Sequence, residues 1–272
     1  MSGNLKLLEA ALAGARAEGR AALLGYYPAG FPSVDAGIRA AVAMVEGGCD
    51  IIEIGLPHSD PVLDGPVIQT ADDIALRGGV RIADVLRTVR ELHAATGVPV
   101  LVMTYWNPVD RYGPERFAAE LAEAGGAGCI LPDLPVEESD GWCEAAEQHG
   151  LATVFVVAPS SADARLATIT AAGSGFVYAA SLMGVTGGRA AVSQGAAGLV
   201  ARTRETTRLP VCVGLGVSNG TQAAEVAGFA DGVIVGSAFV QAVLDRLADE
   251  PAAVEQLRAL AGELAAGVRA GR

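Results

Sequence analysis

The chain has 272 residues, a hydrophobic fraction of 51% against 18% charged, and a formal net charge of -12. No uninterrupted apolar run reaches the ~18 residues of a membrane helix, and so acidic a balance lacks the basic stripe that nucleic acid binding needs. The length suits one large α/β barrel or two small domains with a core that needs no staples, and four cysteines without paired spacing (Cys49, Cys129, Cys143, Cys212) read as buried free thiols.

The first twenty residues mix apolar and charged side chains at helical spacing and predict a helix over Leu5–Arg16. They lack the compact apolar stretch and cleavage site of a secretory signal, which points to the cytoplasm. From there, short apolar runs alternate with Ala-rich amphipathic stretches. Strands are predicted at Ala21–Tyr27, Cys49–Ile54, Val98–Tyr105, Ala127–Leu131, Leu151–Val157, Gly175–Ser181, Pro210–Gly214 and Asp231–Val235. Helices are predicted between and after them at Val34–Glu46, Ile82–Ala95, Pro114–Ala124, Glu137–His149, Ala162–Ala172, Gln194–Thr206, Thr221–Ala227 and Ala238–Ala248. A short extra helix fits Val67–Leu76, and a terminal one follows Pro251.

Strand runs without polar alternation are buried on both faces, as a parallel sheet requires. Eight strand–helix units with no composition break predict an α/β fold, a single (β/α)8 TIM barrel over residues 1–272 with an extra N-terminal helix and short extra helices. An open doubly wound sheet is the rival, but no GxGxxG follows the first strand.

The second strand delivers Glu53 at its C-terminal end, where parallel-strand folds keep their chemistry. A stiff loop follows, shaped by Pro57, Pro61, Pro66, Gly55 and Gly65, and it carries Asp60 and Asp64. Acids held at a strand end and on a rigid loop sit in different environments, which separates their pKa values and suits general acid/base work. The alternative is structural: an acid in such a turn is often only a turn former.

Glycine-rich turns close the last strands: Gly184–Gly188, Gly214–Ser218 and Gly236–Ser237. In a barrel, the turns after strands seven and eight commonly hold a phosphate, because glycine lets backbone amides approach the anion. Lys6 is the only lysine and lies in the N-terminal helix, so a Schiff-base mechanism has no nucleophile at a strand end. His58, His93 and His149 form no ligand cluster, which leaves no metal site, and His58 reads as pocket lining. Carboxylates remain, and they can break a C–C bond when the substrate supplies its own electron sink, as a heteroaromatic ring protonated at carbon does.

The segments EIGLPHSDPVLDGPVIQ from Glu53, MTYWNPVDRYG from Met103, LPDLPVEES from Leu131, GFVYAASLMGVTG from Gly175, VGLGVSN from Val213 and DGVIVGSA from Asp231 occur in the order seen in the tryptophan synthase α-subunit family, which the chain resembles over nearly its whole length. The resemblance implies cofactor-free retro-aldol cleavage of indole-3-glycerol phosphate to indole and glyceraldehyde 3-phosphate. It implies that Glu53 is the acid/base at the indole carbon and that Asp64 holds the ring N–H. It implies that Tyr178 lines the ring pocket, that Gly187, Gly216, Gly236 and Ser237 receive the phosphate, and that Thr186 closes a loop over Asp64. It also implies a β subunit carrying pyridoxal phosphate, in an αββα heterotetramer, with loops bearing Asp60, Asn107, Pro108 and Asp133 near the contact.

The family pattern is broken by His58, by Leu63 before the second acid, and by Tyr27-Pro28, which bears on pocket shape. Leu63 is bulky enough to narrow the pocket or to move Asp64. Three other readings fit parts of the sequence: a stand-alone lyase releasing indole, a sugar-phosphate isomerase or epimerase, and a non-catalytic phosphate-binding activator.

Overall fold

The computed structural model describes residues 3–180 and 189–271. Its strands are β1 (Ala22–Pro28), β2 (Ile51–Gly55), β3 (Val100–Met103), β4 (Gly128–Ile130), β5 (Ala152–Val154), β6 (Val156–Val157), β7 (Val177–Ala180), β8 (Val211–Gly214) and β9 (Gly232–Val235). Its helices are α1 (Gly3–Ala17), α2 (Val34–Gly47), α3 (Pro66–Arg77), α4 (Ile82–Thr96), α5 (Trp106–Tyr112), α6 (Pro114–Glu123), α7 (Asp140–His149), α8 (Asp163–Ala172), α9 (Arg189–Thr206), α10 (Gly220–Ala227), α11 (Ser237–Leu244) and α12 (Glu250–Ala270).

Every strand pairing is parallel, in the order β5-β4-β3-β2-β1-β9-β8-β7-β6. The two ends of that list are separated in sequence only by Phe155, so the sheet curls into a barrel. The fifth predicted strand is thus one extended run broken at a single residue: β5 serves β4 and β6 serves β7.

Alternation along the strands sorts the core into two layers. One set packs outward against the helices, including Leu23, Tyr27, Ile52, Ile54, Val100 and Val102. The other fills the lumen, including Leu24, Ile51, Leu101, Val154 and Ile234, and α1 caps the N-terminal mouth by inserting Leu8 and Leu12 among them. Tyr27 belongs to the outward layer, so the Tyr27-Pro28 departure does not shape the pocket through that ring, contrary to the sequence expectation.

Two local differences have clear causes. Asn107 and Pro108 lie in α5, not in a loop. Proline is tolerated in a first helical turn, where its missing N–H has no intrahelical partner to lose, and the Asp133 carboxylate accepts the Trp106 amide at 2.8 Å as a cap supplied from the next βα connection. The predicted helix over Glu137–His149 is divided at Ser139 into a 3-10 turn (Val136–Glu138) and α7.

Candidate active site

The C-terminal mouth of the barrel gathers three acids and three tyrosines. Glu53 is the third residue of β2, paired across the sheet with Tyr26 on one side and Leu101 on the other. It is fully buried, and neither carboxylate oxygen has a hydrogen-bond partner. Burial alone pushes its pKa from the ordinary carboxylate range to about 8. A group so placed is protonated at neutral pH and is free to give its proton away.

Two phenols flank it, each lying across the end of a neighbouring strand. Tyr26 of β1 covers Gly55 of β2, and Tyr178 of β7 covers Gly214 of β8, where an alanine Cβ would come within 2.5 Å of the Tyr178 hydroxyl. A side chain at Gly55 would collide with the Tyr26 ring in the same way. Burial, then nearby acids, push both phenols well above their usual range, and each senses both Glu53 and Asp64. Part of each tyrosine's surface still reaches solvent, so the rings wall a space that opens outward.

Asp64 stands at the end of the acidic loop, held at both its backbone and its carboxylate. The Gln69 side chain donates to its carbonyl at 2.8 Å. The Tyr105 hydroxyl donates to its carboxylate at 2.8 Å and accepts the Leu63 amide at 2.9 Å. Burial raises the Asp64 pKa, while the Tyr105 bond and the nearby His58 oppose the rise. The pocket beside it is lined by Tyr26, Leu56, Asp72, Met103 and Tyr105 among others.

The remaining expected residues fall into place unevenly. His58 packs its ring on Tyr105, centroids 4.7 Å apart, and its Nδ1 accepts the Asp60 amide, which suits a wall of the loop and not a free base. Asp60 is exposed and accepts from the Ser59 hydroxyl at 2.7 Å. Asn107 and Asp133 are exposed on the same rim, beside Pro108. Leu63 is 59% exposed; it lies at the edge of the pocket beside Asp64, and its amide donates to the Tyr105 hydroxyl.

Gly216 adopts a left-handed φ of 63° in the turn after β8. Gly236 is the N-cap of α11 and supplies no side chain to cap it, whereas α10 is capped by Asn219. Of these two helix starts, the one at Ser237 has no side-chain cap, which leaves its first amides open to an anion. Thr186 and Gly187 lie outside the described residues.

Asp72, Tyr26 and Tyr105 were not anticipated. Asp72 had a usable signal: it occupies the apolar stripe Ile68, Ala71, Asp72, Ala75 of α3, where an acid is costly. Tyr26 had a weaker one, an aromatic with a polar tip on the inward-facing alternation of the first strand, where the structure pairs it with Glu53. Tyr105 had none, as its role depends on the loop reaching back 41 positions.

Residues 12–269 match the family model described as tryptophan synthase alpha chain. A tryptophan synthase alpha chain of Streptomyces avermitilis is 77% identical over 98% of this chain and 96% of its own length. Among solved structures, a chain of Mycobacterium tuberculosis tryptophan synthase superposes with a TM-score of 0.89 at 52% identity, covering 96% of this chain and 98% of that one. A tryptophan synthase subunit alpha of Legionella pneumophila gives 0.88 at 31% identity, covering 96% and 98%.

Proposed function

The chain belongs to the tryptophan synthase alpha chain family, and from that premise we propose that it cleaves indole-3-glycerol phosphate to indole and glyceraldehyde 3-phosphate and passes indole to a β subunit that joins it to serine. No cofactor takes part in this half-reaction; pyridoxal phosphate belongs to the β partner. The observation that carries the reading is Glu53, an acid buried in the lumen with both oxygens unpartnered and its proton retained at neutral pH.

The chemistry closes on that one proton. Protonated Glu53 gives its proton to the ring carbon that bears the glycerol chain, and the ring becomes cationic. Asp64, held in place by the Tyr105 hydroxyl, accepts the ring N–H as a carboxylate and stabilises that cation. The bond from the protonated carbon to the carbinol carbon then breaks, and its electron pair returns to the ring. The carbinol O–H proton passes to the Glu53 carboxylate as the aldehyde forms. Glu53 is thereby restored, and no net proton is consumed.

Tyr178 and Tyr26 supply the walls against which a flat ring is held. The amides after Gly236 and the turn at Gly216 suit the phosphate, with Ser237 adding a hydroxyl. The rim that carries Asp60, Asn107, Pro108 and Asp133 is the surface offered to the β subunit in an αββα assembly. Among the described residues no helix is long and apolar enough to cross a membrane, which agrees with a cytoplasmic biosynthetic enzyme.

The test is indole release from indole-3-glycerol phosphate by the purified chain, with and without the β subunit, beside Glu53→Gln. Cleavage that rises with β and disappears in the variant supports the full reading. Equal rates with and without β favour a stand-alone lyase, and binding without cleavage favours a non-catalytic activator.

A further inference from the structure

Asp72 has no part in the steps above, yet it is the second most costly acid in the molecule. It is 3% exposed, its Oδ1 has no partner, and it lines the same pocket as Asp64, Tyr26 and Tyr105. Its neighbours on the buried stripe of α3 are Ile68, Ala71 and Ala75, so packing alone gives no reason for a carboxyl there. The His58 backbone, at the start of the acidic loop, lies close enough to oppose the rise that burial imposes on the Asp72 pKa.

We infer that Asp72 is a positioning residue for the ring-binding carboxylate: from α3 it anchors the acidic loop at His58 and sets a second, charge-coupled carboxyl beside Asp64. The inference rests on the reading of Asp64 as the group that receives the ring N–H. The groups that face Asp72 are Asp64 and His58 from the loop, Tyr26 from β1 and Tyr105 after β3. Helix α11, which packs on α3, brings no charged side chain. Asp73, the next residue, is exposed and pairs with Arg77.

Burial first, and the Asp64 charge second, push Asp72 up to about 7, so it is the later of the two to ionise. At pH 6 it is mostly neutral and only ties the loop. Above pH 8 it is an anion, and its field adds to that of Asp64 at a ring that is neutral in the bound substrate and cationic once its carbon is protonated. A charge that favours only the cation raises kcat and leaves KM alone.

Asp72→Asn keeps the shape and the acceptor for His58 while removing the titration. The ratio of wild-type to variant kcat, measured with the β subunit from pH 6 to 8.5, is expected to start near one and to rise roughly three- to tenfold, with KM unchanged. The dependence on Glu53 is common to both proteins and cancels in the ratio. A flat ratio overturns the inference.

A second readout needs no turnover. In 13C carboxyl NMR titrations, Asp64→Asn is expected to lower the Asp72 midpoint by about one pH unit; an unmoved midpoint overturns the coupling. Should wild type release no indole, the reaction assignment fails, and the titration still decides the role of Asp72.

Discussion

Strand β2 is entered beside one acid and left beside another, and the two are treated in opposite ways. Asp50, one residue before the strand, is gripped by both guanidinium nitrogens of Arg20 at 2.7 and 2.8 Å and by the Leu23 amide at 2.8 Å. Asp231, at the entrance to β9, is held likewise by the Val211 amide, Arg204 and Arg16, which outweigh its burial and keep its pKa below the usual range. Glu53, three residues beyond Asp50, is more deeply buried and has no partner at all. The N-terminal mouth of the barrel thus uses acids as fasteners, closed over by Leu8 and Leu12 of α1. The C-terminal mouth stores acids at a cost to stability. The difference in pairing, and not in residue type, marks which end does chemistry.

Glu53→Gln separates the two ends most sharply. Loss of the proton donor is expected to lower indole release by about 10³–10⁴-fold. Stability moves the other way, with a sign fixed by linkage. The unfolded chain ionises this carboxyl from about pH 4.5, whereas the native chain does so only near pH 8. Wild type therefore holds its full contribution below about pH 4.5 and loses it as the pH rises through 8. The variant has no such loss. Urea unfolding at pH 8.5 should show it more stable by on the order of 3 kcal/mol, with the gap closing at pH 5. Equal stabilities at both pH values would mean that Glu53 has a partner in solution.

Asp50→Asn is the mirror experiment. It leaves Arg20 mostly buried with Glu18 as its remaining ion-pair partner, and it should cost roughly 1–3 kcal/mol in unfolding free energy while kcat and KM stay within about twofold. A large fall in kcat would erase the distinction between fastening and working ends. Tyr105→Phe probes the site acid whose carboxylate holds a side-chain hydrogen bond. It removes the donor that opposes the rise in the Asp64 pKa, so kcat/KM should fall by about tenfold. The deficit should grow as the pH drops, because Asp64 takes up a proton earlier without the phenol. A deficit independent of pH would place the loss in loop order, through the Leu63 amide, and not in the charge of Asp64.

How much of this was visible in the sequence follows from how local each signal is. The strands were legible because parallel strands buried on both faces are almost wholly apolar, and Glu53 stood out as the acid at the C-terminal end of such a run. The break at Phe155 was not, because closing the barrel with two half-strands is a requirement of the whole sheet. Helix α5 was hidden by Pro108, which reads as a breaker unless the cap from Asp133 is known. Asp72 left a trace, an acid on the apolar stripe of α3, but the adjacent Asp73 on the exposed face blurs that stripe. Long-range contacts such as Tyr105 to Asp64 leave no pattern in a single chain.

Leu63 tests the smallest of these effects. Its bulk next to Asp64 suggested a narrowed pocket; the side chain is 59% exposed at the edge of that pocket, and its hydrogen bond to the site runs through the backbone. The Tyr105 hydroxyl accepts the Leu63 amide whatever the side chain is, so Leu63→Ala leaves both bonds around Asp64 in place. The expected change in kcat for the isolated chain is therefore less than twofold. Val62 beside it is 81% exposed, and together they form an apolar point on the rim proposed to meet the β subunit. If that point is buried on assembly, Leu63→Ala weakens the binding of β by about 1–2 kcal/mol, read from titration of the activation. A fall in the isolated rate instead would show that the side chain folds inward over Asp64 when substrate binds.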